Sequence, residues 1–126
     1  MEITKPLIMI VDDNLVNLRM GKILLSQKYT VATVPSAQKL FEFLKFSKTI
    51  PNLILLDIEM PGKDGFDVIK YLKSDPLSEK IPIIFLTAHS EDDKVHKGLF
   101  LGAVDYIRKP YEPQMLIDRI EKALKK

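Results

Sequence analysis

The sequence contains no cysteine, which excludes disulfides, thiolate zinc sites and cysteine nucleophiles. Its only histidines are His89 and His96, too few for a histidine-rich metal centre. No uncharged apolar run approaches the ~18 residues that a membrane-spanning helix needs. The first residues, Met-Glu-Ile-Thr-Lys-Pro, lack a signal peptide's long apolar stretch and cleavage site. A cytoplasmic location without a membrane partner is the expectation that follows. Repeats, low-complexity segments and a Gly/Ser linker are all missing as well. No charge sign dominates: 19 Lys+Arg stand against 17 Asp+Glu, a net +2. The basic residues are spread along the chain, as on solvated helix faces. A nucleic-acid stripe needs clustering, so direct nucleic-acid binding is not expected.

At 126 residues the chain has the length of one domain, and residues 1–126 are expected to form one. Hydrophobic residues at 46% and charged residues at 29% are ordinary for a globular core. Five short apolar runs, over residues 7–11, 30–34, 53–56, 81–86 and 103–107, have the length and β-branched content of strands. Being continuous rather than alternating, they suit strands covered on both faces. Helical spacing fills the intervals. Residues 14–27 carry Val16, Met20, Ile23 and Leu24, with Asp13 or Asn14 as cap; residues 36–46 carry Leu40, Phe41 and Leu44 behind Ser36 as N-cap. Residues 64–73 carry Phe66, Ile69 and Leu72 behind Asp64. Residues 91–101 follow Ser90 as cap, with Glu91, Asp92 and Asp93 where the helix dipole favours anions. Residues 113–124 place Leu116, Ile120 and Leu124 on one face, with Pro113 at the first helical position.

Strand and helix thus alternate five times. The expected fold is α/β: a doubly wound five-stranded parallel sheet, five helices on both faces, right-handed crossovers. Ligands of such sheets bind beyond the carboxyl ends of the strands. There the sequence places Asp12 and Asp13 after the first strand, Asp57 after the third, Thr87 after the fourth, and Lys109-Pro110 after the fifth. Three close carboxylates raise one another's pKa unless a cation intervenes. An all-oxygen, partly hydrated ligand set suits Mg²⁺, and Mn²⁺ also fits. A cation, a lysine and a hydroxyl around an aspartate suit phosphoryl transfer onto that aspartate. Gly62 and Gly65 read as permissive turn residues under Asp57, and His96 as an exposed helix residue.

The strings Ile-Val-Asp-Asp-Asn at 10–14, Leu-Leu-Asp-Ile-Glu-Met-Pro-Gly-Lys-Asp-Gly at 55–65, Leu-Thr-Ala at 86–88 and Tyr-Ile-Arg-Lys-Pro at 106–110 resemble the CheY-like receiver domain of two-component response regulators. The likeness covers essentially the whole chain. It implies the flavodoxin-like strand order 2-1-3-4-5. It makes Asp57 the phosphoacceptor, with Asp12, Asp13 and the main-chain carbonyl of Glu59 joining it around Mg²⁺. Thr87 becomes the switch hydroxyl and Lys109 the partner of a phosphoryl oxygen. Tyr106 becomes the switch aromatic, and Pro110 follows a cis peptide bond. Glu59 and His89 stand at the pocket mouth, where they set access of water to the acyl phosphate.

The implied function is a phosphorylation-controlled signalling receiver of a phosphorelay. It takes its phosphoryl group from a sensor histidine kinase or a histidine phosphotransfer protein, catalyses its own phosphorylation and slowly hydrolyses the product. Partners in output, whether an attached domain, a target protein or a second copy, are expected on the fourth helix, fifth strand and fifth helix, roughly residues 94–120. The competing reading is a pseudo-receiver, a phosphorylation-independent interaction module; the full set of pocket residues argues against it. A haloacid-dehalogenase-type phosphatase needs an aspartate where Glu59 stands. A flavodoxin-like FMN carrier needs a phosphate-cradling loop where Asp12 and Asp13 would repel phosphate. The sequence carries no output domain, as for a free-standing regulator or a receiver belonging to a larger chain.

Overall fold

A computed structural model describes residues 5–60, 63–88 and 92–125. Three strands, β1 (Leu7–Val11), β3 (Leu53–Asp57) and β6 (Ile83–Thr87), are buried at every position. β2 (Thr30–Val34) and β7 (Asp105–Arg108) flank them at the edges and are only partly covered. The five pair in parallel in the order β2-β1-β3-β6-β7. The expectation 2-1-3-4-5 differs from this in detail. A short antiparallel ladder, β4 (Glu59–Met60) with β5 (Lys63–Asp64), intervenes in the chain and shifts the later numbers.

Strand residues alternate between two cores, as a pleated strand requires. Met9, Val11, Ile54, Leu56, Ile83 and Phe85 face α2 (Ala37–Phe46) and α3 (Gly65–Ser74). Ile8, Ile10, Leu53, Leu55, Ile84 and Leu86 face α1 (Leu15–Leu25) and α5 (Pro113–Leu124). The remaining helix, α4 (Asp92–Phe100), lies on Phe85, since a Cβ built on Gly98 would fall 2.3 Å from the Phe85 ring. With β strands buried on both sides, the C-terminal rim of β1, β3 and β6 is where polar side chains can meet solvent.

Three caps follow the expected chemistry. Asn14, Ser36 and Asp64 each accept a backbone N–H in the first turn of α1, α2 and α3. The cap expected at Ser90 lies outside the described residues, as do Glu91, Gly62 and His89. Strand starts shift for identifiable reasons. Pro82 has no N–H to give the ladder, so β6 begins after it, although its carbonyl still accepts from Ile54 at 3.0 Å. The Ala103 N–H turns back to the Gly98 carbonyl at 3.1 Å, which keeps it with α4 rather than β7.

Two expectations are overturned. The inward face of α1 is Leu18, Gly21 and Leu25, while Val16, Met20 and Ile23 are 64–67% exposed. Gly21 lets α1 approach so closely that an added Cβ would stand 2.9 Å from the Ile10 methyl. Gly65 is also no permissive turn: it opens α3 against the Ile58 backbone, where a Cβ would fall 2.2 Å from Ile58 Cα. Only the absence of a side chain lets α3 begin directly beneath the Asp57 loop.

Candidate phosphoacceptor site

Parallel pairing brings the C-terminal ends of β1, β3 and β6 side by side, with Val11 opposite Leu56 and Asp57 opposite Leu86. That register collects the rim residues. Asp12 and Asp57 are buried, 2% and 4% exposed, and Asp13 is exposed. Oxygen atoms of Asp12, Asp13 and Asp57 lie within 4.8 Å of one another. Lys109 reaches in from the end of β7; its Nζ lies 2.9 Å from Asp57 Oδ2 and 3.8 Å from Asp12 Oδ2. The Lys109 N–H donates to the Thr87 carbonyl at 2.8 Å, which anchors the lysine's backbone to β6. The Lys109–Pro110 peptide bond is cis.

Each buried carboxylate is also held by backbone. Asp57 Oδ1 accepts the Glu59 N–H at 2.9 Å, so both of its oxygens are engaged. Asp12 Oδ1 accepts the Asn14 N–H at 2.9 Å, and Oδ2 accepts from the Asn17 amide at 3.2 Å. Burial raises the Asp12 carboxyl above its ordinary pKa, and the Asp57 charge adds to that; Asn14, Lys109 and Asn17 oppose it. For Lys109, burial pulls the pKa down, but the hydrogen bond to Asp57 and the charges of Asp57, Asp12 and Glu59 outweigh it and hold the ammonium above its usual value. One lysine against this much negative charge leaves the rim anionic. The donors are all hard oxygens, open to solvent on the Asp13 side, which is the set a Mg²⁺ ion takes while keeping some of its water.

Thr87 is fully buried and lies on the same sheet face as Phe85. Tyr106 pairs with Phe85 in the ladder, is half-buried, and its ring stacks on Phe85 with centroids 6.0 Å apart. The hydroxyl, the aromatic and α4 therefore share one layer, with Phe85 between them. His96 is exposed, as expected.

Glu59 sits at the mouth, half-buried, where its Oε1 accepts the Ala88 N–H at 2.8 Å. That bond and the Asn17 contact were not anticipated from sequence. Asn17 stands one turn into α1, five residues after Asp12, and that spacing is its only signal. Nothing in the sequence points to the Glu59–Ala88 bond, because it depends on β3 and β6 being neighbours. A groove of about 750 Å³ runs from this rim between α1 and α5. Asp12, Asn17 and Lys109 are its polar lining, with Ala88 beside them, and Met20, Ile23 and Tyr111 are among the residues of its apolar flank.

A family model of the response regulator receiver domain matches residues 8–121. The phosphate regulon transcriptional regulatory protein PhoB of Pseudomonas aeruginosa is 46% identical over 76 residues, covering 60% of this chain and 33% of its own length. A probable cyclic di-GMP phosphodiesterase of Vibrio cholerae is 38% identical over 113 residues, 90% of this chain and 25% of its own. The chain thus spans a third or less of these two relatives. A crystal structure of a putative response regulator from Chloroflexus aurantiacus superposes with a TM-score of 0.87 at 31% identity, covering 97% of this chain and 100% of that one.

Proposed function

This chain belongs to the response regulator receiver domain family, and on that premise we propose that it is a phosphorylation-controlled switch with Asp57 as phosphoacceptor. The observation that carries the reading is the setting of Asp57: a buried carboxylate at a strand end, 2.9 Å from the Lys109 ammonium and within 4.8 Å of Asp12 and Asp13 oxygens. An Asp57 oxygen attacks phosphorus, and the bond from phosphorus to the donor's imidazole nitrogen breaks. The imidazole leaves with the bonding electron pair, neutral when its other nitrogen carries the proton. In hydrolysis a water oxygen attacks the same phosphorus, the bond to Asp57 breaks, and carboxylate and inorganic phosphate are released. Lys109 and the Thr87 hydroxyl stabilise charge on the phosphoryl oxygens. Asp12, Asp13, Asp57 and the Glu59 main-chain carbonyl would hold Mg²⁺, or Mn²⁺, which supplies positive charge against those oxygens. Whether this counts as an enzyme is secondary; the output is a change in binding.

The donor is a sensor histidine kinase or histidine phosphotransfer protein in this reading. It has to bring a phosphohistidine to the rim, so it must cover the surface beside the mouth. The exposed apolar residues of α1 and the groove next to Lys109 support that side as its footing. On the output side, Phe100 is 89% exposed at the end of α4 and supports α4, β7 and α5 as the surface for an attached domain, a target or a second copy. The two relatives' names point to different outputs, transcriptional regulation and cyclic di-GMP turnover, so the output is not fixed by family. The even spread of basic residues supports a receiver without a nucleic-acid surface of its own. No helix among the described residues is long and apolar enough to cross a membrane. Membership of the receiver family supports a cytoplasmic location in this reading.

The switch reading joins Thr87 to Tyr106. A phosphoryl group draws the Thr87 hydroxyl toward it, and Tyr106 moves into the space left along Phe85. Beryllofluoride, which mimics a phosphoryl group, should then perturb amide shifts out to α4 and β7, and Thr87→Ala should confine the changes to the rim. For the chemistry, acetyl phosphate with Mg²⁺ should label wild type, and neither Asp57→Asn nor metal-free protein should be labelled. Labelling that persists in Asp57→Asn would move the acceptor elsewhere.

A further inference from the structure

Lys109 Nζ lies 2.9 Å from Asp57 Oδ2, and the neighbouring strand β6 ends in Thr87, followed by Ala88. The Ala88 N–H is already taken, by a side-chain carboxylate. Glu59 Oε1 accepts it at 2.8 Å, while the Glu59 N–H donates to Asp57 Oδ1 at 2.9 Å. One residue therefore touches both the acceptor and the amide across from it. The carboxylate lies near enough to Lys109 for its charge to act on the ammonium. Ala88 is exposed and lines the same groove as Asp12 and Lys109, so its N–H is reachable from the rim.

We propose that the Glu59 carboxylate is a resident anion on the Ala88 amide, which an incoming phosphoryl group must displace. The proposal rests on Asp57 being the acceptor. The displacement follows from charge. Phosphorylation replaces the single carboxylate charge of Asp57 with a phosphoryl group carrying about two, and brings three strong acceptor oxygens to the rim. A fixed carboxylate beside them is repelled, and the amide it releases is a donor the new oxygens can use. Glu59 is thus a positioning residue with two effects. It weakens binding of any phosphoryl-like anion, and it ties the end of β6 to the corner after β3 until that anion arrives. Because the metal contact assigned to Glu59 is its main-chain carbonyl, side-chain substitutions leave that ligand in place.

The test is a beryllofluoride titration with Mg²⁺ on wild type, Glu59→Gln and Glu59→Ala, following the Ala88 amide by NMR hydrogen exchange. Without beryllofluoride, Ala88 should exchange slowly in wild type and fast in Glu59→Ala; with it, slowly in both. Affinity should rise from wild type through Glu59→Gln to Glu59→Ala, by about tenfold across the series, the worth of one charge-assisted hydrogen bond at the low end of its range. Glu59→Gln keeps size and an acceptor oxygen, so a gain in that variant isolates the charge from the clasp. Equal affinities, or weaker binding in Glu59→Ala, would overturn the displacement while leaving the acceptor in place. Failure of every variant to bind, wild type included, would overturn the acceptor reading and the displacement with it.

Discussion

Helices α1 and α3 cover opposite faces of one sheet and do it differently. α3 buries Gly65, Phe66, Val68, Ile69 and Leu72, most of its apolar content. α1 buries Leu18, Gly21 and Leu25 and leaves Leu15, Val16, Met20 and Ile23 at 64–70% exposure. Both helices share their face: α3 lies with α2 and, over Phe85, with α4, and still turns Phe66, Val68, Ile69 and Leu72 into the core. α1 shares its face with α5, whose Leu116 and Ile120 fill the same core. Met20 and Ile23 of α1 line the groove beside the rim, the mouth that a phosphoryl donor must reach in the proposed function. Apolar side chains clustered in water next to a reactive site mark a contact surface rather than a core.

Substitutions on the two helices sharpen this contrast. Ile69→Ala in α3 should cost about 2–5 kcal/mol, as other fully buried large-to-small changes do, measured by urea unfolding. Gly65→Ala should also destabilise, by about 1–3 kcal/mol or more, because the Ile58 backbone itself has to shift to admit the methyl. On α1, Ile23→Ala should stay within ~0.5 kcal/mol of wild type. It should nevertheless slow phosphotransfer from a phosphohistidine protein several-fold and leave acetyl phosphate labelling unchanged. Equal losses with both donors would break the comparison, since the residue would then act on the chemistry and not on docking.

A smaller effect separates the rim from the helices. Asp12 carries a raised pKa in the metal-free protein, chiefly through burial. Its protonated form is favoured in the fold, so this group's contribution to stability improves as pH falls through the folded pKa toward the unfolded one, the reverse of a salt-bridged carboxylate. Mg²⁺ needs the ionised form. Its affinity should therefore begin to fall at a higher pH than an ordinary aspartate would dictate, read by calorimetry between about pH 7 and pH 4. Asp12→Asn should weaken the ion and flatten that profile.

What could be read from the sequence divides along the same line. Asp12, Asp13, Asp57, Thr87 and Lys109 were legible because strand ends in a parallel sheet share a rim, and chain order places them there. The caps Asn14, Ser36 and Asp64 were legible because the chemistry is local. The phase of α1 was not. Its apolar residues form two competing stripes, and the buried one runs through Gly21, which counts for nothing in a hydrophobic pattern but permits the closest approach to Ile10. The Asn17 contact has only its five-residue spacing from Asp12 to signal it, and the Glu59–Ala88 bond, between residues 29 apart, leaves no spacing at all.

The central claim is that Asp57 accepts a phosphoryl group in a metal-dependent reaction. Intact-mass measurement of the protein after incubation with acetyl phosphate, with and without Mg²⁺, tests it most directly. The account predicts a single added phosphoryl group that requires the ion and is missing from Asp57→Asn. An unchanged mass in wild type with donor and Mg²⁺ present would contradict it.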